Sequence, residues 1–388
     1  MFFLEDTRYT QLFPHIFGYS SFLSIFFRIF GANQAIPPLI NVILSVLSMI
    51  LVFYIGLKLS GIRMAFIASL LWVLFPSQTT YNMFVLSEPL YTTELLAICA
   101  LILYIEENFK NLSIIQIFIS SFILSLLLVL MNQSRPIAAI PLITLFIIVF
   151  ITKMGNFSCK NILLRKILFF IIVFVSYCIL MALSNKYVEL RLGGACGFTP
   201  GYNIYVGFNE ESNGRWNLHD SLLLFHYSDL PGWSAAEAQD QMFKLAMDRI
   251  RNPKIDFLSL FLNKFIILWG DDSAAISYAS PIFPIEKNRS ILAILNNAFY
   301  YCLIILSIVG VFLTYKKKEH SRFTLISLFF IGLTLSQLLV EVAPRYHYSG
   351  TIAFVLFAAS GLSHIKAMPV IATLNSNDYN ESAIENSL

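Results

Sequence analysis

Long apolar runs alternate with short polar links along most of the chain. A helix that crosses a bilayer needs about 20 mostly apolar residues. Runs that approach this length occupy 36–57, 64–75, 89–104, 112–131, 137–151, 167–183, 290–315, 323–340 and 348–362, which predicts about nine crossings. The runs at 64–75 and 89–104 are short, and their helices are expected to extend into flanking polar residues. Residues 12–30 are apolar but broken by Pro14, His15, Gly18 and Arg28. They read either as a first span or as a surface segment leading into Ile36.

The pattern changes between 185 and 289, where polar residues dominate. Within this stretch, residues 255–269 form an apolar run of intermediate length that carries Asn263 and Lys264, expected to lie as a helix on the membrane surface. Ahead of it, Ser234-Ala-Ala-Glu237 has the form of a capping box. A helix of about four turns should follow, with Phe243, Met247 and Ile250 on one face and Pro253 as its stop.

Composition strengthens the membrane reading. Hydrophobic residues make up 57% of the 388 positions, charged residues 13%, and mean hydropathy is +0.72. Soluble domains carry roughly a quarter charged residues. A soluble fold could not hide so many Leu, Ile and Phe side chains, whereas a bilayer removes the need to. The fold class is therefore all-α, a polytopic membrane protein. A net charge of +3 gives no argument for nucleic acid. The five cysteines are scattered without metal-ligand spacing, so neither a disulfide framework nor a zinc site is predicted. The opening Met-Phe-Phe-Leu-Glu-Asp lacks the basic and apolar regions of a cleavable signal peptide.

Sidedness follows from Lys and Arg in the links. One set holds Lys58, Arg63, Lys110, Lys153, Lys160, Arg165, Lys166, Lys316, Lys317, Lys318, Arg322 and Lys366; the alternate set holds only Arg135 and Arg345. The basic links are expected in the cytoplasm and the long polar stretch outside. The expected organisation is N-terminal transmembrane helices over 1–184, an outer-face loop region over 185–290, C-terminal transmembrane helices over 291–364 and a disordered cytoplasmic tail over 365–388.

Candidate chemistry gathers at the expected outer ends of the spans. Glu88 opens a helix in Leu86-Ser-Glu-Pro89, and Arg135 sits in Asn132-Gln-Ser-Arg-Pro136. Lys264 is followed by Trp269 and the pair Asp271-Asp272, and Glu341 and Arg345 precede Tyr346. Each has a plain structural use: a carboxylate complementing a helix dipole, an interfacial anchor, an ion pair four residues apart. Together they suggest a cleft for a phosphate-bearing lipid, with Arg and Lys on the phosphate and a carboxylate as base. The stretch Gly201–Asn217, rich in Asn, Gly, Tyr and Trp, suits either sugar contacts or an ordered loop.

The order of these stretches resembles the multi-spanning glycosyltransferases of the GT-C superfamily, especially bacterial family-39-like enzymes related to protein mannosyltransferases. The similar segments are Phe13-Pro-His-Ile-Phe-Gly-Tyr19, Ser87-Glu-Pro89, Ser134-Arg-Pro136, Val206–Asn217, Asn252-Pro253 with Lys264 and Trp269, and Glu341-Val-Ala-Pro-Arg-Tyr346. The resemblance implies a GT-C-like bundle and a polyprenyl-phosphate-sugar donor. It also implies a cell-envelope acceptor (glycan, lipid or protein), an acidic base in the first outer loop and sometimes a divalent metal. On this pattern Arg135, Lys264 and Arg345 are expected at the donor phosphate, Glu88 and Glu341 as supporting carboxylates with Glu88 among the catalytic groups, Asn209 and Trp216 near the sugar, and Tyr346 as a further substrate contact. The first helix and loop aspartate of that pattern are missing ahead of Pro14, where Glu5 and Asp6 are the only acids. Either Asp6 stands in as base, or the sequence starts late and the copy is inactive. A transporter or lipid-glycan flippase is the other class with many spans. It should show midplane polar groups and related halves, and neither is visible.

Overall fold

The computed structural model describes residues 7–150, 160–279, 285–317 and 320–364. Asp6 and the C-terminal tail lie outside the described residues. Within them the chain is helices and turns, with no strand. The helices are α1 (Arg8–Leu12), α2 (Ile16–Phe30), α3 (Ile36–Ser60), α4 (Ile62–Val73), α5 (Pro76–Tyr81) and α6 (Glu88–Asn108). Next come α7 (Ile114–Ser134), α8 (Ala139–Phe150), α9 (Lys160–Leu192), α10 (Gly201–Gly207), α11 (Leu218–Ser228) and α12 (Ala235–Ile250). The last are α13 (Phe257–Trp269), α14 (Ala274–Tyr278), α15 (Glu286–Lys316), α16 (Thr324–Leu339) and α17 (Thr351–His364).

Every one of the nine predicted runs is helical. Five of these helices (α3, α6, α7, α9 and α15) are long and apolar enough to cross a membrane, while α4, α8, α16 and α17 are shorter apolar helices. The molecule is a multi-pass membrane bundle. Its lipid-facing character is plainest in α9, where only 11% of the apolar window is buried. The expected extension of α4 occurs only at its start, through Arg63 to Ile62. That helix stops at Val73, and Phe75 is extended because it precedes Pro76, which starts α5. The extension of α6 does occur, with Pro89 at its first turn.

Close helix contacts rely on missing side chains at two places. A Cβ on Gly310 of α15 would lie 1.8 Å from the Phe357 carbonyl oxygen of α17. One on Gly18 of α2 would lie 2.2 Å from the Gln133 carbonyl oxygen of α7. Small residues of this kind let apolar helices approach where lipid offers no competing hydrophobic drive.

The two ends of the bundle differ in chemistry. At one end Lys58 pairs with Glu107, Arg165 donates to the Lys110 and Leu112 carbonyls, Lys317 meets His364, and Arg322 reaches the Leu59 carbonyl. At the other end lie the start of α6, the ends of α7 and α16, and the helices of 201–278. There Gln11 donates to the Leu192 carbonyl, and Asn41 of α3 donates to the Asn82 and Phe84 carbonyls. Helix α2 begins and finishes at this second end. Its start packs on Gln133, and Tyr19, Leu23 and Phe26 cluster with Ile36, Ile40 and Leu44 near the start of α3. Both ends of α2 therefore lie at the same end of the bundle.

The helices of 201–278 are held by their caps. Asn217 accepts from the Asp220 N–H, Ser234 and Glu237 form the predicted capping box, and Asp256 accepts from the Ser259 N–H. The face of α12 differs from expectation. Ala235, Ala238, Gln239, Met242 and Ala246 are buried, while Phe243 is exposed. Small residues win this face because α10 packs closely against it.

Candidate functional site

Glu88 is 1% exposed and forms an ion pair with Arg135, the residue that ends α7 just before Pro136. Arg345, in the 3-10 turn Pro344–His347, approaches the same carboxylate, with Nε 3.7 Å from Oε1. The other oxygen, Oε2, is buried without a hydrogen-bond partner in the protein. Tyr346 lies between the guanidiniums, its ring centre 4.9 Å from Arg135 Cζ and 5.6 Å from Arg345 Cζ. Tyr91 and Tyr278 flank the pair, each 5.7 Å from one guanidinium carbon. These distances lie within the range of cation–π attraction, and the rings keep both cations partly desolvated.

The turn that carries Arg345 and Tyr346 is anchored from beneath. His347, 1% exposed, has Nδ1 2.7 Å from the Leu268 carbonyl and Nε2 2.9 Å from Asp272 Oδ1. Its ring stacks between Trp269 and Tyr300, and Ser77 also donates to Asp272. On the other flank the Glu341 N–H donates to the Asn203 carbonyl at 2.7 Å, and Val342 N–H to the Gly214 carbonyl at 2.9 Å. Segment 341–347 is therefore fixed at both ends.

Two cavities open beside this cluster. One, of about 670 Å³, is lined by Glu88, Arg345 and Tyr278 and by the aromatic residues Tyr9, Tyr19 and Trp216. The other, of about 420 Å³, lies among α7, α9, α10, α12 and α16. Phe13, His15, Arg135, Asn203, Glu341 and Tyr346 line both and form the wall between them. Two titratable groups in this wall are shifted. Burial, with Arg135 beside it, holds the His15 imidazole down at about 4, so it is neutral at neutral pH. Burial pushes the Glu341 carboxyl up, against the opposing pull of Arg345, Tyr346, Arg135 and Lys264.

Of the residues singled out in the sequence, Glu88, Arg135, Glu341, Arg345 and Tyr346 come together here. Trp216 is exposed at the edge of the larger cavity. Asn209 does not line either cavity. Its amide donates to Asp220, which Arg249 and Asn217 also hold, so it braces the loop. Lys264 corrects the expectation of a phosphate ligand on a surface helix. It is fully buried, and its ammonium donates to the Gly207, Leu338 and Val340 carbonyls at 2.9, 2.7 and 2.7 Å. The apolar face of α13 (Leu258, Leu262, Ile266) is the exposed one. Asp6 lies outside the described residues. His15 and Asn203 line both cavities without having been singled out individually in the sequence, although His15 stands in the segment 13–19 and Asn203 in the Asn-rich stretch 201–217.

Among the described residues, no group of three or more His, Cys, Asp or Glu side chains could hold a metal ion. No family profile and no curated protein matches the chain. Among solved structures, the archaeal oligosaccharyltransferase AglB from Archaeoglobus fulgidus, in complex with an inhibitory peptide and a dolichol-phosphate, aligns with 89% of this chain at 14% identity and a TM-score of 0.49. The chain spans 42% of the length of that protein.

Proposed function

We propose that this chain is a membrane glycosyltransferase that moves a sugar from a polyprenyl-phosphate carrier to a cell-envelope acceptor on the outer face. One observation carries the reading. Two guanidiniums, Arg135 and Arg345, share the single buried carboxylate of Glu88 at the end of a membrane bundle, beside a cavity of about 670 Å³. Two cations are gathered around one buried carboxylate, with the Glu341 carboxyl in the adjoining wall. Guanidinium forks match phosphate oxygens, and here they are held in place before any ligand arrives. As the sugar departs from its carrier, negative charge grows on the phosphate, and fixed cations in a partly dry site stabilise that charge. In this reading Trp216 stacks on the sugar, and Lys264 acts as a brace for the segment ahead of Glu341.

The test uses the purified full chain in lipid nanodiscs with radiolabelled hexoses on a short polyprenyl phosphate. Transfer is expected from at least one donor. Arg135→Ala and Arg345→Ala should each lower it on the order of 100-fold, the cost of removing one preorganised charge stabiliser. Undiminished transfer in both variants would remove the phosphate role.

A further inference from the structure

The 420 Å³ chamber has a lining unlike that of its neighbour. Six amide side chains contribute to it from five helices: Asn132, Gln133, Asn185, Asn203, Gln239 and Gln337. Its charged residues, Arg135 and Glu341, both belong to the shared wall. An amide offers two donors and an acceptor, the complement of a hydroxyl that both donates and accepts. A ligand carrying its own phosphate or carboxylate would meet no cation deeper in this chamber.

Several of the amides are already engaged. Gln239 spans the Leu12 carbonyl and the Tyr202 N–H, and Gln133 donates to Asn185. Gln337 differs: its side chain is in a residue only 8% exposed, and its Oε1 has no hydrogen-bond partner in the protein. A buried polar group left unmatched is destabilising. Gln337 lines the chamber, so that oxygen, shielded at rest, is an unused acceptor beside it.

The wall supplies the chemistry. Among the groups lining both cavities, His15 and Glu341 carry a proton-accepting atom. His15 sits beside the Arg135 guanidinium and is a weak base at about 4. Glu88 lines only the larger cavity and is committed to two arginines. Glu341 lines both, with its backbone fixed to Asn203.

Resting on the phosphate-donor reading above, we propose that the amide-lined chamber is the acceptor site, that it takes an uncharged, hydroxyl-rich sugar ring, and that Glu341 receives the proton of the attacking hydroxyl. In the step, the acceptor oxygen forms a bond to the donor sugar's anomeric carbon. The bond from that carbon to the phosphate oxygen breaks with its electron pair, and polyprenyl phosphate leaves as the anion. The hydroxyl proton passes to the Glu341 carboxylate, so charge and atoms balance.

The experiment takes the donor active in the assay above and offers methyl glycosides of neutral hexoses, or the matching methyl uronates, as acceptors. Neutral glycosides should be used with kcat/KM at least about tenfold above the uronates. Gln337→Leu should raise the acceptor KM about tenfold or more while the donor KM stays within about twofold. Glu341→Gln should lower kcat on the order of 100-fold with both KM values little changed. It should also remove the acid limb of the pH profile, and Glu341→Asp should restore part of the rate. The proposal is overturned if uronates serve equally, if Gln337→Leu acts on the donor KM instead, or if Glu341→Gln keeps its rate while Asp6→Asn loses it. Should the wild type transfer from no donor, the donor reading fails. Equilibrium binding of the neutral methyl glycosides to the same nanodiscs then judges the chamber alone, and binding that is absent or unchanged in Gln337→Leu overturns it.

Discussion

Lys264 shows how a charge that looks functional can be consumed by the fold. Its ammonium has three protons and three carbonyls to receive them, from Gly207, Leu338 and Val340. Burial pulls it below the ordinary lysine range, to about 7, and Glu341 opposes that pull. The carbonyls oppose it as well, since only the charged form has a proton for each. The residue thereby ties the end of α10 to the last turn of α16 and to Val340, which leads into Glu341. Lys264→Met keeps the length of the side chain and deletes every donor. Each orphaned carbonyl costs about 1–3 kcal/mol, so unfolding in mixed micelles should show a loss of several kcal/mol. A phosphate ligand would behave differently: the variant would unfold like the wild type, and only the donor KM would rise.

At the scale of elements, α11 and α12 are joined through one buried carboxylate. Burial works against the charged form of Asp220. Hydrogen bonds from Arg249, Asn217 and Asn209 outweigh it and hold the carboxyl below the usual range. Arg249 is bidentate, with Nη1 and Nη2 at 3.0 and 3.2 Å from the two carboxylate oxygens. Asp220→Asn leaves the guanidinium uncompensated, a loss of about 3–5 kcal/mol for a buried pair. Hydrogen exchange should then quicken across 218–250 while α6 and α7 keep their protection. Because the folded carboxyl binds its proton only at lower pH than the unfolded one, this stability is present above roughly pH 4. It is lost as pH falls through the lowered value, so protection in 218–250 should fail there first. These elements also mark what could be read in advance. The apolar runs and the Ser234–Glu237 cap were legible because period and capping are local properties. The amide chamber was not, since Asn132, Asn185, Asn203, Gln239 and Gln337 sit on five helices and nothing in their spacing relates them. The buried faces of α12 and α13 were missed for a related reason. Tight contact with α10 favours alanines over Phe243 on α12, and lipid, which accepts Leu258 and Ile266, leaves Lys264 for the inside of α13.

For the whole molecule, the decisive property is which end faces which compartment. Lys58, Lys110, Arg165, Lys166, Lys317 and Arg322 gather at one end, and the two cavities lie at the other. A basic residue near the anionic inner leaflet gains roughly 1 kcal/mol, and links rich in Lys and Arg are retained on the cytoplasmic side during insertion. The cavities should therefore open away from the cytosol. Arg251, highly exposed just after α12, and Lys110, exposed between α6 and α7, report on opposite ends. With the five native cysteines replaced by Ala, an impermeant maleimide added to intact cells should label Arg251→Cys at once. It should label Lys110→Cys only after the membrane is opened. The reverse order would place the guanidinium pair in the cytosol, opposite the compartment where an envelope acceptor waits, and would leave the arginines and the amide chamber without the substrates assigned to them.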